Sequence, residues 1–121
     1  MLPTVEIDEN GLFIETHTDE FVTVNLAMFV ADERKRLAGK DKKPLLVLFK
    51  KMVGFDPKLR DYTDRILANV SALGFYINTE TDEGMETKKI MEGFYKITPY
   101  PVPVKVFDDK TEAIEWLKQY K

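Results

Sequence analysis

An α/β fold with a largely parallel sheet is the architecture this sequence predicts, and three observations carry it. The apolar run Leu45-Leu46-Val47-Leu48-Phe49 is continuous rather than alternating, which marks a strand covered on both faces. Helical apolar stripes alternate with short extended runs along the chain, which implies right-handed crossovers. Asn10-Gly11 lies between two extended runs and signals a hairpin, because both positions tolerate positive φ. The expected order β-β-α-β-α-β-α-β-α makes a sandwich of about five strands and about four helices. Its sheet is mostly parallel, with an N-terminal antiparallel hairpin at one edge.

Each element has its own signal. Val5-Glu6-Ile7 and Leu12-Phe13-Ile14-Glu15-Thr16 are the hairpin strands, and polar Thr18-Asp19-Glu20 is expected to close the second. A helix follows from about Thr23 to Ala38. Thr23 or Asn25 caps it, Arg34, Lys35 and Arg36 suit its C-terminal end, and Gly39 stands where a terminating glycine belongs. After the central strand at Leu45–Phe49, Asp56-Pro57 opens a second helix, with Leu59, Tyr62, Ile66, Val70 and Leu73 as its apolar stripe and Gly74 at its end. Phe75-Tyr76-Ile77 reads as a short strand. A third helix is expected from about Met85 to Ile97, with Ile90, Met91, Phe94 and Ile97 on one side. Val102 to Phe107 reads as a strand in which Pro103 suggests an edge or first-residue position. Asp109 with Glu112 three residues on opens the last helix, whose stripe is Ala113, Trp116, Leu117 and Tyr120. No repeat or linker divides the 121 residues, so a single domain over 1–121 is expected.

That element order resembles the SpoIIAA-like, STAS-related small bacterial proteins. So does the tail Pro101-Val102-Pro103-Val104-Lys105-Val106-Phe107 running into Ala113-Ile114-Glu115-Trp116-Leu117. The resemblance implies a STAS-like sandwich with Leu45–Phe49 at its centre, and a regulatory module that acts by docking to other proteins. Anti-sigma-factor antagonists of that fold carry a phosphorylatable serine after the central strand. Here Lys50 to Leu59 contains neither serine nor threonine, and Ser71, the only serine, is expected late in the second helix as a packing residue. The phospho-switch does not transfer.

Composition narrows the chemistry. Without cysteine there is no disulfide, thiolate metal site or cysteine nucleophile, and a single histidine, His17, excludes multi-histidine metal sites. A net charge of -3 argues against nucleic acid as partner. Leu45–Phe49 is far shorter than the roughly 20 apolar residues of a membrane span. Met1 to Glu6 lacks the basic and apolar regions of a signal peptide, so a cytoplasmic protein is expected.

The remaining candidates are few. His17 is expected to be an exposed strand-end histidine without a nucleophile beside it. Gly39-Lys40-Asp41-Lys42-Lys43 leaves a helix and enters a strand, the reverse of a phosphate loop. The basic residues Arg34, Lys35, Arg36, Lys40, Lys42, Lys43, Lys50 and Lys51 read as a solvated face split between the two ends of the central strand. Glu80, Asp82, Glu83 and Glu86 do not follow the calcium-loop spacing and suit a helix N-terminus instead. Tyr95 and Tyr100, in a stiff segment rich in aromatics and prolines, are the candidate interface residues. With no catalytic set and no cofactor or metal site in view, the expectation is a non-enzymatic interaction domain that docks to a protein partner or to itself. The alternative is a small-molecule or lipid-binding module with an apolar cleft between helices and sheet, lined by Met85, Met91, Phe94 and Phe75.

Overall fold

The computed structural model describes residues 3–97 and 100–121, with the side chains of all of these except 18–20, 50–53 and 95–97. Five strands form one sheet in the order β1-β2-β3-β4-β5: β1 Thr4–Ile7, β2 Phe13–Val22, β3 Lys43–Phe55, β4 Val70–Ile77 and β5 Val104–Phe107. The helices are α1 Val24–Ala38, α2 Thr63–Ile66, α3 Asp82–Ile97 and α4 Lys110–Lys118, with a 3-10 turn at Pro57–Asp61 before α2. β1 pairs antiparallel to β2, and every other pairing is parallel. The α/β sandwich expected from the sequence, with a mostly parallel sheet and an antiparallel N-terminal hairpin, is the fold.

Strand order explains the layers. Each parallel step, from β2 to β5, moves the same way across the sheet, so right-handed crossovers place α1, α2 and α3 on one face. That face holds the larger core, including Phe13, Leu45, Val47, Leu73, Phe75 and Met91. α4 follows the last strand and covers the other face, where Ala113 and Leu117 pack on Leu12, Ile14, Leu46, Ala72 and Phe107. Central β3 therefore buries both parities, as its continuous apolar run requires.

Local signals that the chain can satisfy by itself are met. Asp8 Oδ1 accepts from the Asn10 and Leu12 amides and Gly11 takes φ 78°, closing the hairpin turn. Thr23 Oγ1 caps α1 by accepting from the Leu26 amide at 3.0 Å, and Gly39 ends it at φ 63° while donating to the Lys35 carbonyl. Asp109 caps α4 through the Glu112 amide.

Four expectations are corrected. The long second helix does not exist: the chain makes one 3-10 turn and one α turn, and Val70 to Ile77 is β4. Val70 and Leu73 match a helical stripe by spacing, but β4 is buried on both faces, and such a strand has no period of its own. Ser71 and Gly74 therefore lie inside a strand. β2 does not stop at Thr18 but runs to Val22, and β3 extends from Lys43 to Phe55, the two pairing along most of their length through an irregularity between Glu20 and Phe21. α3 starts three residues earlier than expected, which brings Asp82 and Glu83 into its first turn. β5 begins at Val104, after Pro103.

The start of α3 gives a sharp prediction. Gly84 is buried against the turn before it, and a Cβ there would overlap the Asn78 carbonyl oxygen, which is backbone and cannot swing away. Gly84→Ala is expected to cost about 1–3 kcal/mol, because inserted bulk must shift backbone. Gly93→Ala, with open space around its Cβ, should be neutral or stabilising in the same helix. Urea unfolding of the two variants reads the difference.

Candidate functional site: a cleft beside a buried ion cluster

The site is assembled from β2, β3 and α1. On the helix-bearing face β2 presents Phe13, Glu15 and His17 in alternation, beside Leu45, Val47 and Phe49 of β3. α1 lays Ala27, Val30, Ala31 and Arg34 on its buried side, at spacings of three and four. Glu15, His17 and Arg34 are 5%, 2% and 1% exposed. His17 is thus not the exposed strand-end residue its neighbours suggested, because β2 continues past it and α1 helps to cover it. Arg34 likewise leaves the solvated basic face and enters the core.

These three side chains form one network. Arg34 Nη1 donates to Glu15 Oε1 at 2.6 Å, and His17 Nε2 lies 2.7 Å from Glu15 Oε2. Arg34 Nη2 donates to the Ile66 carbonyl at 2.6 Å, and its Nε donates to Asn69 Oδ1 at 3.1 Å. Asn69 Nδ2 reaches back to the Ala31 carbonyl at 3.4 Å. Arg34 thus ties the last residue of α2 to α1 and satisfies a carbonyl that the short helix leaves unpaired.

Burial pushes the Glu15 carboxyl up, but the His17 hydrogen bond and the Arg34 charge together outweigh it and hold the carboxyl below its ordinary value of 4.5. Burial also pulls the Arg34 guanidinium down, opposed by the Glu15 charge. An ionised Glu15 only accepts, so the facing Nε2 of His17 carries a proton. The depressed Glu15 value fixes a sign: through the acid range the unfolded chain binds more protons than the native one. The stabilisation is complete above about pH 4.5 and is lost as pH falls through the lower native value. Urea midpoints should drop on that acid limb, and Glu15→Gln should show a flatter limb.

Beside the cluster the same face leaves a cleft of about 90 Å³, whose walls include Val47, Phe49, Phe55, Phe75, Phe94 and Tyr100. Its aromatic rings pack on one another. Phe49 stacks on Phe75 with centroids 6.0 Å apart and meets Phe55 edge-on at 6.4 Å, while Phe55 stacks on Phe94 at 4.4 Å. The His17 ring lies 5.0 Å from Phe49, which joins the polar cluster to the aromatic wall.

The residues singled out from sequence scatter around this site. Tyr100 is half-buried and lines the cleft. Tyr95 falls within α3, but its side chain lies outside the described residues, as do those of Lys50 and Lys51. Of the four residues expected to line an apolar cleft, Phe75 and Phe94 line the one observed, whereas Met91 is fully buried and Met85 is 44% exposed. Lys35, Lys40 and Lys42 are exposed, and Arg36 is paired with Glu33. Among the described residues no group of three acidic or histidine side chains could hold a metal, and no helix is long and apolar enough to cross a membrane.

The profile of one protein family matches residues 5–121, nearly the whole chain. The chain belongs to that family, the domain of unknown function DUF7793. No curated protein matches it. Among solved structures, the DUF7793 chain is similar to an uncharacterised protein of the DUF3478 family with a SpoIIAA-like fold, from Shewanella loihica PV-4. The two are 15% identical, the match covers 95% of this chain and 91% of the other, and the TM-score is 0.51. At that identity the likeness speaks for the shared fold alone.

Proposed function

We propose that this DUF7793 domain is a non-enzymatic binding module that takes a small, mainly apolar molecule into the cleft between the sheet and its helices. The cleft itself carries the reading: an aromatic pocket with a few converging polar groups at one side is the usual make-up of a small-molecule site. Glu15, His17 and Arg34 are engaged with one another, which favours a structural and recognition role for them over catalysis.

Ala27 lines the cleft from α1, where a larger aliphatic side chain would occupy the space without breaking the helix. Adding 2-phenylacetamide to the wild type should shift the amide resonances of His17, Phe49 and Phe75. Ala27→Leu should stay folded and lose those shifts. A wild type that shows no shift with ring compounds of this size contradicts the proposal.

Docking to a protein, or to a second copy, has its own support. Among the described residues α4 alone covers the second face of the sheet, leaving Thr16 exposed and Leu48, Tyr76 and Trp116 only half-buried. Light scattering across a range of concentrations tests self-association, and a strict monomer argues against it.

A further inference from the structure

We infer that the cleft selects an uncharged molecule bearing a single ring over the carboxylate or ammonium counterparts of the same molecule. This rests on the binding reading above and adds the ligand's charge and shape. Both oxygens of Glu15 are engaged inside the cluster, one by Arg34 Nη1 and the other by His17 Nε2. All three guanidinium nitrogens of Arg34 already donate, to Glu15, the Ile66 carbonyl and Asn69. Glu15 and Arg34 are the permanent formal charges that line the cleft among the described residues, each matched to the other, and His17, charged only when protonated, faces the same Glu15 carboxylate.

A charged ligand entering here gives up its water without gaining an uncommitted counter-charge, which a buried ion requires. An anion also meets the carboxylate of Glu15, and a cation meets the guanidinium of Arg34. A neutral amide or hydroxyl meets neither repulsion and gives up far less hydration than an ion does. The walls set the rest of the chemistry. Phe49, Phe55, Phe75 and Phe94 offer ring faces and edges, which favour another ring in an offset or edge-on arrangement. An apolar void of about 150 Å³ admits one benzene, so a cleft of about 90 Å³ has no room for a second ring, and even a single-ring ligand keeps part of itself at the open mouth.

Three probes that share one ring and a similar length separate the possibilities: 2-phenylacetamide, phenylacetate and phenethylammonium, each titrated into the intact wild-type chain at mildly alkaline pH and followed by amide resonances. The amide should bind at least about tenfold more tightly than either ion, since each ion is desolvated without a partner. Phenylacetate or phenethylammonium binding as tightly as the amide overturns the charge selection and leaves the binding reading standing. No binding by any of the three overturns the binding reading itself. Glu15→Gln supplies a second arm, because it removes the charge that compensates Arg34. Phenylacetate should then gain on the amide relative to the wild type, and an unchanged order of the probes overturns the inference. Thermal unfolding checks that this variant is folded, and the wild-type series decides the matter without it.

Discussion

Glu15→Leu is expected to destabilise the domain by about 3–5 kcal/mol, the cost of leaving a buried guanidinium without its counter-charge. The carboxylate is 5% exposed and accepts from both Arg34 and His17, so its removal takes the counter-charge from one buried group and a hydrogen-bond acceptor from another. Water does not readily reach Arg34, which is 1% exposed. Glu15→Leu combined with Arg34→Met should recover much of the loss, because apolar side chains of similar volume replace a buried pair at little net cost. Asn69 and the Ile66 carbonyl lose a donor in that double variant, so recovery should be incomplete. A double-mutant cycle by urea unfolding should give a coupling energy above about 1 kcal/mol, as expected of groups in one network. If Glu15→Leu unfolds within about 0.5 kcal/mol of wild type, like an ordinary surface change, the cluster is not the compensated pair described above.

Phe49→Ala should cost about 3–5 kcal/mol, in the range of buried aromatic truncations. Phe49 stands at the centre of the aromatic wall, in ring contact with His17, Phe55 and Phe75 and 7% exposed. Its loss joins a new void to the existing cleft, and the surrounding β3 and β4 backbone is held in register and cannot collapse into it. The same change should widen ligand size. A two-ring neutral compound excluded by the wild type is expected to bind Phe49→Ala, read as a thermal shift. A variant as stable as wild type would mean that the ring packs loosely in the native protein.

The sequence announced the architecture through signals that act locally or through burial. The Asn10-Gly11 turn, the Thr23 and Asp109 caps, the Gly39 terminus and the apolar run of β3 all specify elements without distant partners. The segment from Leu59 to Leu73 was misleading because its helical spacing coincides with a turn followed by a doubly buried strand. There Arg34, on another element 32 residues away, donates to the Ile66 carbonyl at the end of the α turn. Such a contact has no local signature.

The ion cluster was partly legible. Glu15 directly follows the apolar run Leu12-Phe13-Ile14 and shares the face of Phe13 by alternation, and Arg34 continues the spacing of Ala27, Val30 and Ala31 on the buried side of α1. Two opposite charges on the buried faces of consecutive elements are a signal of a paired core site. Terminal cations also suit a helix C-terminus, and that reading of Arg34 concealed the other. Tyr100 was identified for its aromatic surface, but whether it meets a partner or the cleft depends on the packing of α3 and β5, which sequence spacing does not encode.

A crystal structure of the wild-type chain grown with 2-phenylacetamide tests the central claim most directly. The account predicts the ring against Phe49 and Phe75, with the amide turned toward the Glu15–His17–Arg34 cluster and the cluster's internal bonds intact. A cleft filled by the protein's own side chains, with the compound absent or bound elsewhere, would contradict it.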